Sequence, residues 1–452
     1  MTRPIRFNAF VLSSPSHLCP GLWRHPDDRS TSHIRMQHWL DLARTLEEGL
    51  FDAIFFADVL GPHDTYRDGL RISIEAGAQF PVNDPLPAIV GMSTVTRDLC
   101  FGYTSSVFSE HPYVFARRMS TLDQLTDGRV AWNVVTSYLP AAMASLGVSR
   151  LASHDQRYEY ADEYMEVCYK LWEGSWKDHA LCEDRQTGIF ADPTRIRPVD
   201  HRGTYFEVPG VHMSSPSPQR TPLLFQAGAS RRGVEFCAKH AECAFILGHS
   251  KQAVSQTVSK IRAAAVATGR PPDSVRIFAQ VTLIVAEDSA TAHRKFDESL
   301  AYVNREATIN LLSGWLGTDL AGHDGRQPLA RFESNAIRSL ADEFASGCDG
   351  CSWTLDRLVS WAAIGGLGPV LVGSAEEVAN ELIEWVDETG VSGFNLPYVT
   401  VPGTYLDIAR LLVPVLQGKG VYKTRYQPGT FREKLFHASN RVADGHPAAR
   451  YR

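Results

Sequence analysis

The sequence lacks an excess of basic charge, a long apolar run and any regular framework of cysteines. Lysine plus arginine number 45 against 51 aspartates plus glutamates, a formal balance of −6. Without a basic excess the chain cannot neutralise a nucleic-acid backbone by bulk charge, so nucleic acid is not an expected partner. No window approaches the ~20 apolar residues that cross a bilayer. The opening segment MTRPIRFNAFVLSSPSHLCPG breaks its short apolar stretch at Asn8 and runs into serine and histidine. It reads as neither a signal peptide nor a membrane anchor. The eight cysteines, Cys19, Cys100, Cys168, Cys182, Cys237, Cys243, Cys348 and Cys351, are scattered, which excludes a disulfide scaffold and fits a reducing cytoplasm. Cys348 and Cys351 form a CDGC motif. A zinc site wants a second pair and a redox motif wants a short thioredoxin-like βαβ context, so this one reads as structural or incidental.

Several short motifs of chemistry are equally missing. No G-x-G-x-x-G turn follows the first strand, and GLGPVLVG (366–373) places leucine where the third glycine belongs. There is no G-x-x-x-x-G-K-[ST] phosphate loop, no G-x-S-x-G elbow, and no H-E-x-x-H or comparable metal spacing among the 16 histidines. A tightly held dinucleotide, a nucleoside triphosphate, a serine nucleophile and a catalytic metal are therefore all unsupported.

What is present is a long chain able to bury a large core: 452 residues, 44% hydrophobic, 21% charged and 10% aromatic. Apolar strand-like runs alternate with amphipathic helix-like runs, the signature of βαβ units and a parallel sheet. The predicted strands are 7–12, 51–58, 100–107, 129–136, 222–228, 243–248, 275–286 and 393–399. Helices are predicted over 38–48, 88–96, 113–125, 158–172, 232–240, 254–268, 375–388 and 405–416. Eight strands with intervening helices make a (β/α)8 TIM barrel over residues 1–417, with insertions at about 176–221 and 287–372 and a C-terminal arm at 418–452. The second insertion is placed to cap the barrel mouth, and the arm to pack on this or a neighbouring subunit. The alternative, an open doubly wound sheet, lacks its glycine fingerprint.

In a barrel the chemistry sits at the C-terminal ends of the strands. The second run closes on Asp58, the third on Thr104 and Ser105, the fourth on Asn133, Thr136 and Ser137, and the fifth on Gln226-Ala227-Gly228-Ala229-Ser230. Asp58 either caps the next helix or faces a ligand. Asn133 interrupts an apolar strand, and a buried amide left unpaired costs ~1–3 kcal/mol, so it has a backbone or ligand partner. The QAGAS junction before a helix suits a phosphate held on the first helical turn beside Arg231 and Arg232, and equally an ordinary N-cap. HDQRYE (154–159) sets His154 and Tyr158 four apart on one helix face, a second anion wall or plain packing. Scattered hydroxyl, amide and histidine groups on apolar strand ends suit a site where a cofactor carries the hard chemistry.

The segments RRMSTLDQLTDGRVAWNVVTS (117–137), HDQRYEYADEYMEVCYKLWEGSW (154–176), SPQRTPLLFQAG (217–228) and GLWRHPDD (21–28) resemble the bacterial-luciferase-like two-component flavin monooxygenases. The likeness is to their nitrilotriacetate, EDTA and dibenzothiophene-sulfone branch, and most closely to its long-chain alkane members. It runs from about residue 5 to TFREKLF (430–436) and is weaker over 290–370. The resemblance implies a barrel that takes reduced FMN from a separate NAD(P)H:flavin reductase, forms a C4a-(hydro)peroxyflavin with O2, and oxygenates an apolar or aromatic small molecule. It implies Asp58, Thr104, Asn133 and Ser137 around the isoalloxazine, and His154, Tyr158, Ala227, Gly228 and Ser230 toward the ribityl chain and phosphate. His17, His63, Gln79 and Tyr138 fall on the substrate side. There the sequence departs from the alkane branch: Ser14 stands for cysteine, His63 for tyrosine and Tyr138 for histidine. The exchange moves the titratable group, since histidine is the side chain suited to acid–base work near neutrality. Homodimers or homotetramers are the implied assembly. Two other readings are a deazaflavin-dependent oxidoreductase of the same barrel superfamily and a non-catalytic flavin-binding protein.

Overall fold

Eight parallel strands close on themselves in the computed structural model, which describes residues 3–148, 153–228, 230–328 and 353–452. They are β1 (Phe7–Leu12), β2 (Ala53–Ala57), β3 (Cys100–Ser106), β4 (Val130–Val135), β5 (Leu223–Ala227), β6 (Cys243–Ile246), β7 (Arg276–Gln280) and β8 (Gly393–Pro397). Each strand pairs with its neighbours in the chain, and β8 returns to β1 with Phe7 opposite Phe394. This is the predicted (β/α)8 TIM barrel. The strands are apolar along nearly their whole length because both faces are buried, one in the barrel and one under the helices.

Alternation along each strand sorts the side chains. Phe10, Phe55, Phe225, Phe245 and Phe278 fill the interior together with small residues such as Ala53 and Ala131. Phe7, Ile54, Phe56, Phe101, Trp132 and Phe394 belong to the outer layer against the helices. Gly102 is the interior counterpart of Phe55 on β3. A Cβ there would lie 2.6 Å from the Phe55 ring, so glycine makes room for phenylalanine.

Two stretches differ from expectation. The apolar run 275–286 is two strands rather than one: it leaves the barrel after Gln280, and Thr282–Ala286 pairs outside it with Val370–Ser374. The GLGPVLVG stretch thus supplies an accessory strand and has no nucleotide loop geometry. Residues 176–221 are less irregular than their proline and glycine content suggests, holding two short antiparallel hairpins, Leu181–Asp184 with Ile189–Ala191 and His201–Arg202 with Glu207–Val208. Of the second insertion, Arg305–Leu316 and Leu355–Ala362 are helices that pack on the barrel mouth, while 329–352, with the CDGC motif, lies outside the described residues.

The C-terminal segment packs on its own chain, across the N-terminal floor of the barrel. Phe431 reaches the Phe225 ring at 6.1 Å, and the buried Arg432 guanidinium grips Glu242 through contacts of 2.6 and 2.8 Å. Tyr422 and Tyr426 donate to the carbonyls of Leu50 and Phe51 at 2.8 and 2.7 Å. No helix among the described residues is long and apolar enough to cross a membrane.

Candidate active site

The C-terminal mouth of the barrel gathers the polar residues that close the strands. Thr104 on β3 and Asn133 on β4 are direct register neighbours on the interior face, and Asn133 Nδ2 donates to Thr104 Oγ1 at 3.0 Å. Asn133 Oδ1 is buried and has no partner in the protein. An acceptor left dry in this way costs free energy unless a ligand donates to it. One layer higher, the hydroxyls of Ser106 and Ser137 meet at 2.7 Å. Ser137 holds φ at 52°, a left-handed conformation that non-glycine residues adopt at a cost and that recurs at functional sites. Asp58 follows β2 and lines a cavity of about 420 Å³ with Gln79, Tyr103, Ser105 and Ser106. Burial, reinforced by Asp84 and opposed by the Val59 amide, pushes the Asp58 carboxyl up to about 7.

A second group lies at the start of the ten-residue helix Arg231–His240. Ser230 caps this helix, its Oγ accepting from the Gly233 amide at 3.1 Å and meeting His154 Nε2 at 3.2 Å. Tyr158, one turn beyond His154, shares its hydroxyl with Ser230 and Thr136, which links this group to the end of β4. The two glycines here make room for neighbouring side chains. A Cβ on Gly228 would lie 2.6 Å from Gln226 Nε2 and 3.1 Å from the Tyr158 hydroxyl, and one on Gly233 would lie 3.0 Å from both the Ser230 and Tyr158 hydroxyls. A helix start flanked by the Ser230 and Tyr158 hydroxyls and the His154 imidazole suits an oxyanion. Arg231 and Arg232, expected to add charge, instead turn to Glu235 at 2.6 Å and Asp162 at 2.7 Å. Their charges are spent on neighbouring carboxylates.

The third group is a chain of bonds through Gln79. Its Nε2 donates to the His17 carbonyl at 2.9 Å and its Oε1 faces His63 Nε2 at 3.1 Å. Burial holds His17 down to about 3 and His63 down to about 4, so both rings are neutral at pH 7 in this packing. His17 packs edge-on against Phe10 at 4.5 Å, and Phe10 against Phe245 at 4.9 Å. Tyr138 and Trp315 lie 6.4 and 6.2 Å from the His63 ring. Ser14 Oγ, buried nearby in sequence to His17, has no partner.

Twelve of the thirteen residues that the resemblance assigns to the site fall in these three groups at this end of the barrel, and the thirteenth, Ala227, closes β5 next to Gly228. Trp315, Asn310 and Gly314 were not singled out. They stand on a helix from the far insertion, and nothing local in NLLSGWL distinguishes a residue that covers a site from one that fills a core. Asp84, which raises the Asp58 carboxyl, was missed for the same reason: only the fold brings it near.

A closed eight-stranded barrel whose mouth carries a capped helix start beside hydroxyl and imidazole groups, and an unpartnered amide oxygen, suits a cofactor-dependent enzyme. The model of the luciferase-like monooxygenase family matches residues 21–393, and the chain belongs to that family of oxidoreductases. It is 45% identical to the dimethyl-sulfide monooxygenase of Hyphomicrobium sulfonivorans over 100% of this chain and 94% of that one. The crystal structure of the Hyphomicrobium protein DmoA superposes with a TM-score of 0.93 over 100% of this chain and 96% of that one. Identity to the long-chain alkane monooxygenase of Geobacillus thermodenitrificans is 43%, over 100% of this chain and 99% of that one. A riboflavin lyase crystallised with modified FMN and riboflavin also gives a TM-score of 0.93, at 34% identity, with both chains covered in full.

Proposed function

We propose that the protein is an FMN-dependent monooxygenase that receives reduced flavin from a separate NAD(P)H:flavin reductase and oxygenates a small, neutral, apolar molecule. The observation that carries this reading is the pairing, at one barrel mouth, of an oxyanion-suited helix start with a buried amide acceptor, Asn133 Oδ1, that has no protein partner. Asn133, Thr104, Ser137 and Asp58 would hold the polar edge of a tricyclic ring, and His154, Tyr158, Gly228 and Ser230 a phosphate. Reduced flavin supplies the two electrons that activate O2 and the scaffold from which one oxygen atom is transferred.

This chain's own residues do the rest. Phe10, Phe245, Tyr138 and Trp315 would wall the space beside the ring and exclude water from it. Asp58, raised to about 7, can hold or release a proton at neutral pH. On the substrate side the Gln79 amide is tied to the His17 carbonyl and to His63 Nε2, and burial keeps both imidazoles uncharged. Recognition there is by apolar and aromatic contact, which favours a dialkyl sulfide or an alkane over a charged molecule. The test is to mix protein and photoreduced FMN with oxygenated buffer across a panel of dialkyl sulfides, alkanes, sulfones and flavins. One class is expected to be oxygenated while H2O2 release falls. Quantitative H2O2 with every member, at the rate of free reduced FMN, overturns the reading.

A further inference from the structure

The helix Arg305–Leu316 meets the segment that carries His63 along one stripe, with contacts at Glu306, Asn310 and Gly314, each four residues from the last. At the rim Arg67 pairs with Glu306 at 2.7 Å. In the middle Asn310 Nδ2 donates to Ser73 Oγ at 2.9 Å, and that hydroxyl donates to the His63 carbonyl at 2.8 Å. At the inner end Gly314 lies against the imidazole itself. A Cβ at 314 would sit 2.0 Å from His63 Nδ1 and 3.0 Å from its Cγ and Cε1. No real contact is that short.

Nothing in the helix asks for glycine at this point. Gly314 lies inside the helix, which ends at the left-handed Gly317, and an interior glycine costs roughly 1 kcal/mol against alanine. The reason is the ring. The hydrogen bonds also fix that ring's protonation: a carbonyl only accepts, so Gln79 turns its Nε2 to His17 and its Oε1 to His63, and His63 Nε2 must carry the proton. Nδ1 is then a bare acceptor, buried without a partner and directed at the Gly314 backbone.

We propose that Gly314 is a positioning and specificity-determining residue: its missing side chain is the seat of the His63 imidazole, holding the ring on Gln79 in the Nε2–H form and out of the substrate space beside Tyr138 and Trp315. A methyl group at 314 drives the ring off this seat, loosens the Gln79 bond and takes volume from the pocket. The substrate part of this inference rests on the oxygenation reading above; the seat does not.

A double-mutant cycle separates the two. Gly314→Ala is expected to lower Tm when His63 is present and to raise it in the His63→Ala background, where the methyl group fills vacated space and the helix gains a better residue. Failure of Gly314→Ala to fold while the double variant folds gives the same answer. Histidine-labelled NMR of the flavin-free protein should show His63 as a single Nε2–H tautomer in the parent and as a mixture in Gly314→Ala. With a chain-length series of the class that the parent oxygenates, dialkyl sulfides or alkanes, Gly314→Ala is expected to shift the cut-off to shorter members through KM rather than kcat. Equal Tm changes in both backgrounds, or an unchanged His63 tautomer, overturn the seat. An unchanged cut-off overturns the specificity role. If the parent oxygenates no member of this series and none of the wider panel above, the functional reading fails while the Tm and NMR results still decide the seat.

Discussion

Asn133 and Thr104 face each other across β3 and β4, and the 3.0 Å bond between them leaves Asn133 Oδ1 unpartnered at the barrel mouth. A buried acceptor of this kind is a liability to the empty protein and an asset to a complex, so its two effects can be measured apart. Replacing Asn133 with leucine should leave the free protein as stable or more stable, because the dry oxygen is gone. Affinity for FMN should fall about ten-fold, the equivalent of ~1.4 kcal/mol for one lost bond. Thermal melts and fluorescence titration check the two arms, and an unchanged FMN affinity contradicts the assignment.

Ser230 serves both the helix and the proposed phosphate. Ser230→Ala should cost about 1 kcal/mol through the lost N-cap. It should also weaken FMN while leaving riboflavin, which has no phosphate, bound as before. Equal losses for both ligands would place the phosphate elsewhere.

Removing Arg432 tests how the C-terminal arm is held. The carboxylate of Glu242 is buried, and Arg432 is the counter-charge that keeps it below the usual carboxylate range against the cost of burial. Arg432→Met strands that charge and should destabilise the protein by about 3–5 kcal/mol. The double variant Arg432→Met/Glu242→Gln should recover much of the loss in urea denaturation. If the single and double variants are equally unstable, the pair is not what holds the arm.

Several histidines are buried in the neutral form, with His17 held near 3 and His63, His212 and His446 near 4 by desolvation. The unfolded chain takes up these protons near the ordinary value of about 6.5, the folded chain only two or more units lower. Stability is therefore full above about pH 7 and is lost progressively as pH falls from about 6.5 toward 4, where the unfolded state alone gains protons. Melts across this range should show that fall, and the slope should be shallower in His63→Gln. An unchanged slope in that variant would mean that His63 is not buried neutral.

The barrel was legible because its strands are buried on both faces: FNAFVL, AIFFA and VAWNVV announce themselves as apolar runs whatever surrounds them. The exception follows from the same rule. VRIFAQVTLIVA reads as one strand-like run, and periodicity does not tell Gln280, where the chain leaves the barrel for a second sheet, from a polar residue inside a strand such as Asn133. Site residues on strand ends were legible for a related reason, since a polar side chain closing an apolar run is a local signal. Asp58, Thr104, Asn133 and Ser230 are of this type. The contacts that give those residues their chemistry are not local. Asp84 raises Asp58, Gly314 seats His63 and Asp162 draws off Arg232, and each is set by packing between segments far apart in sequence.

The central claim is that the mouth of this barrel is a reduced-flavin site, and anaerobic titration of photoreduced FMN into the protein tests it most directly. One equivalent per chain is predicted, with the affinity weakened by both Asn133→Leu and Ser230→Ala. No saturable binding, or binding that neither substitution touches, would contradict the account.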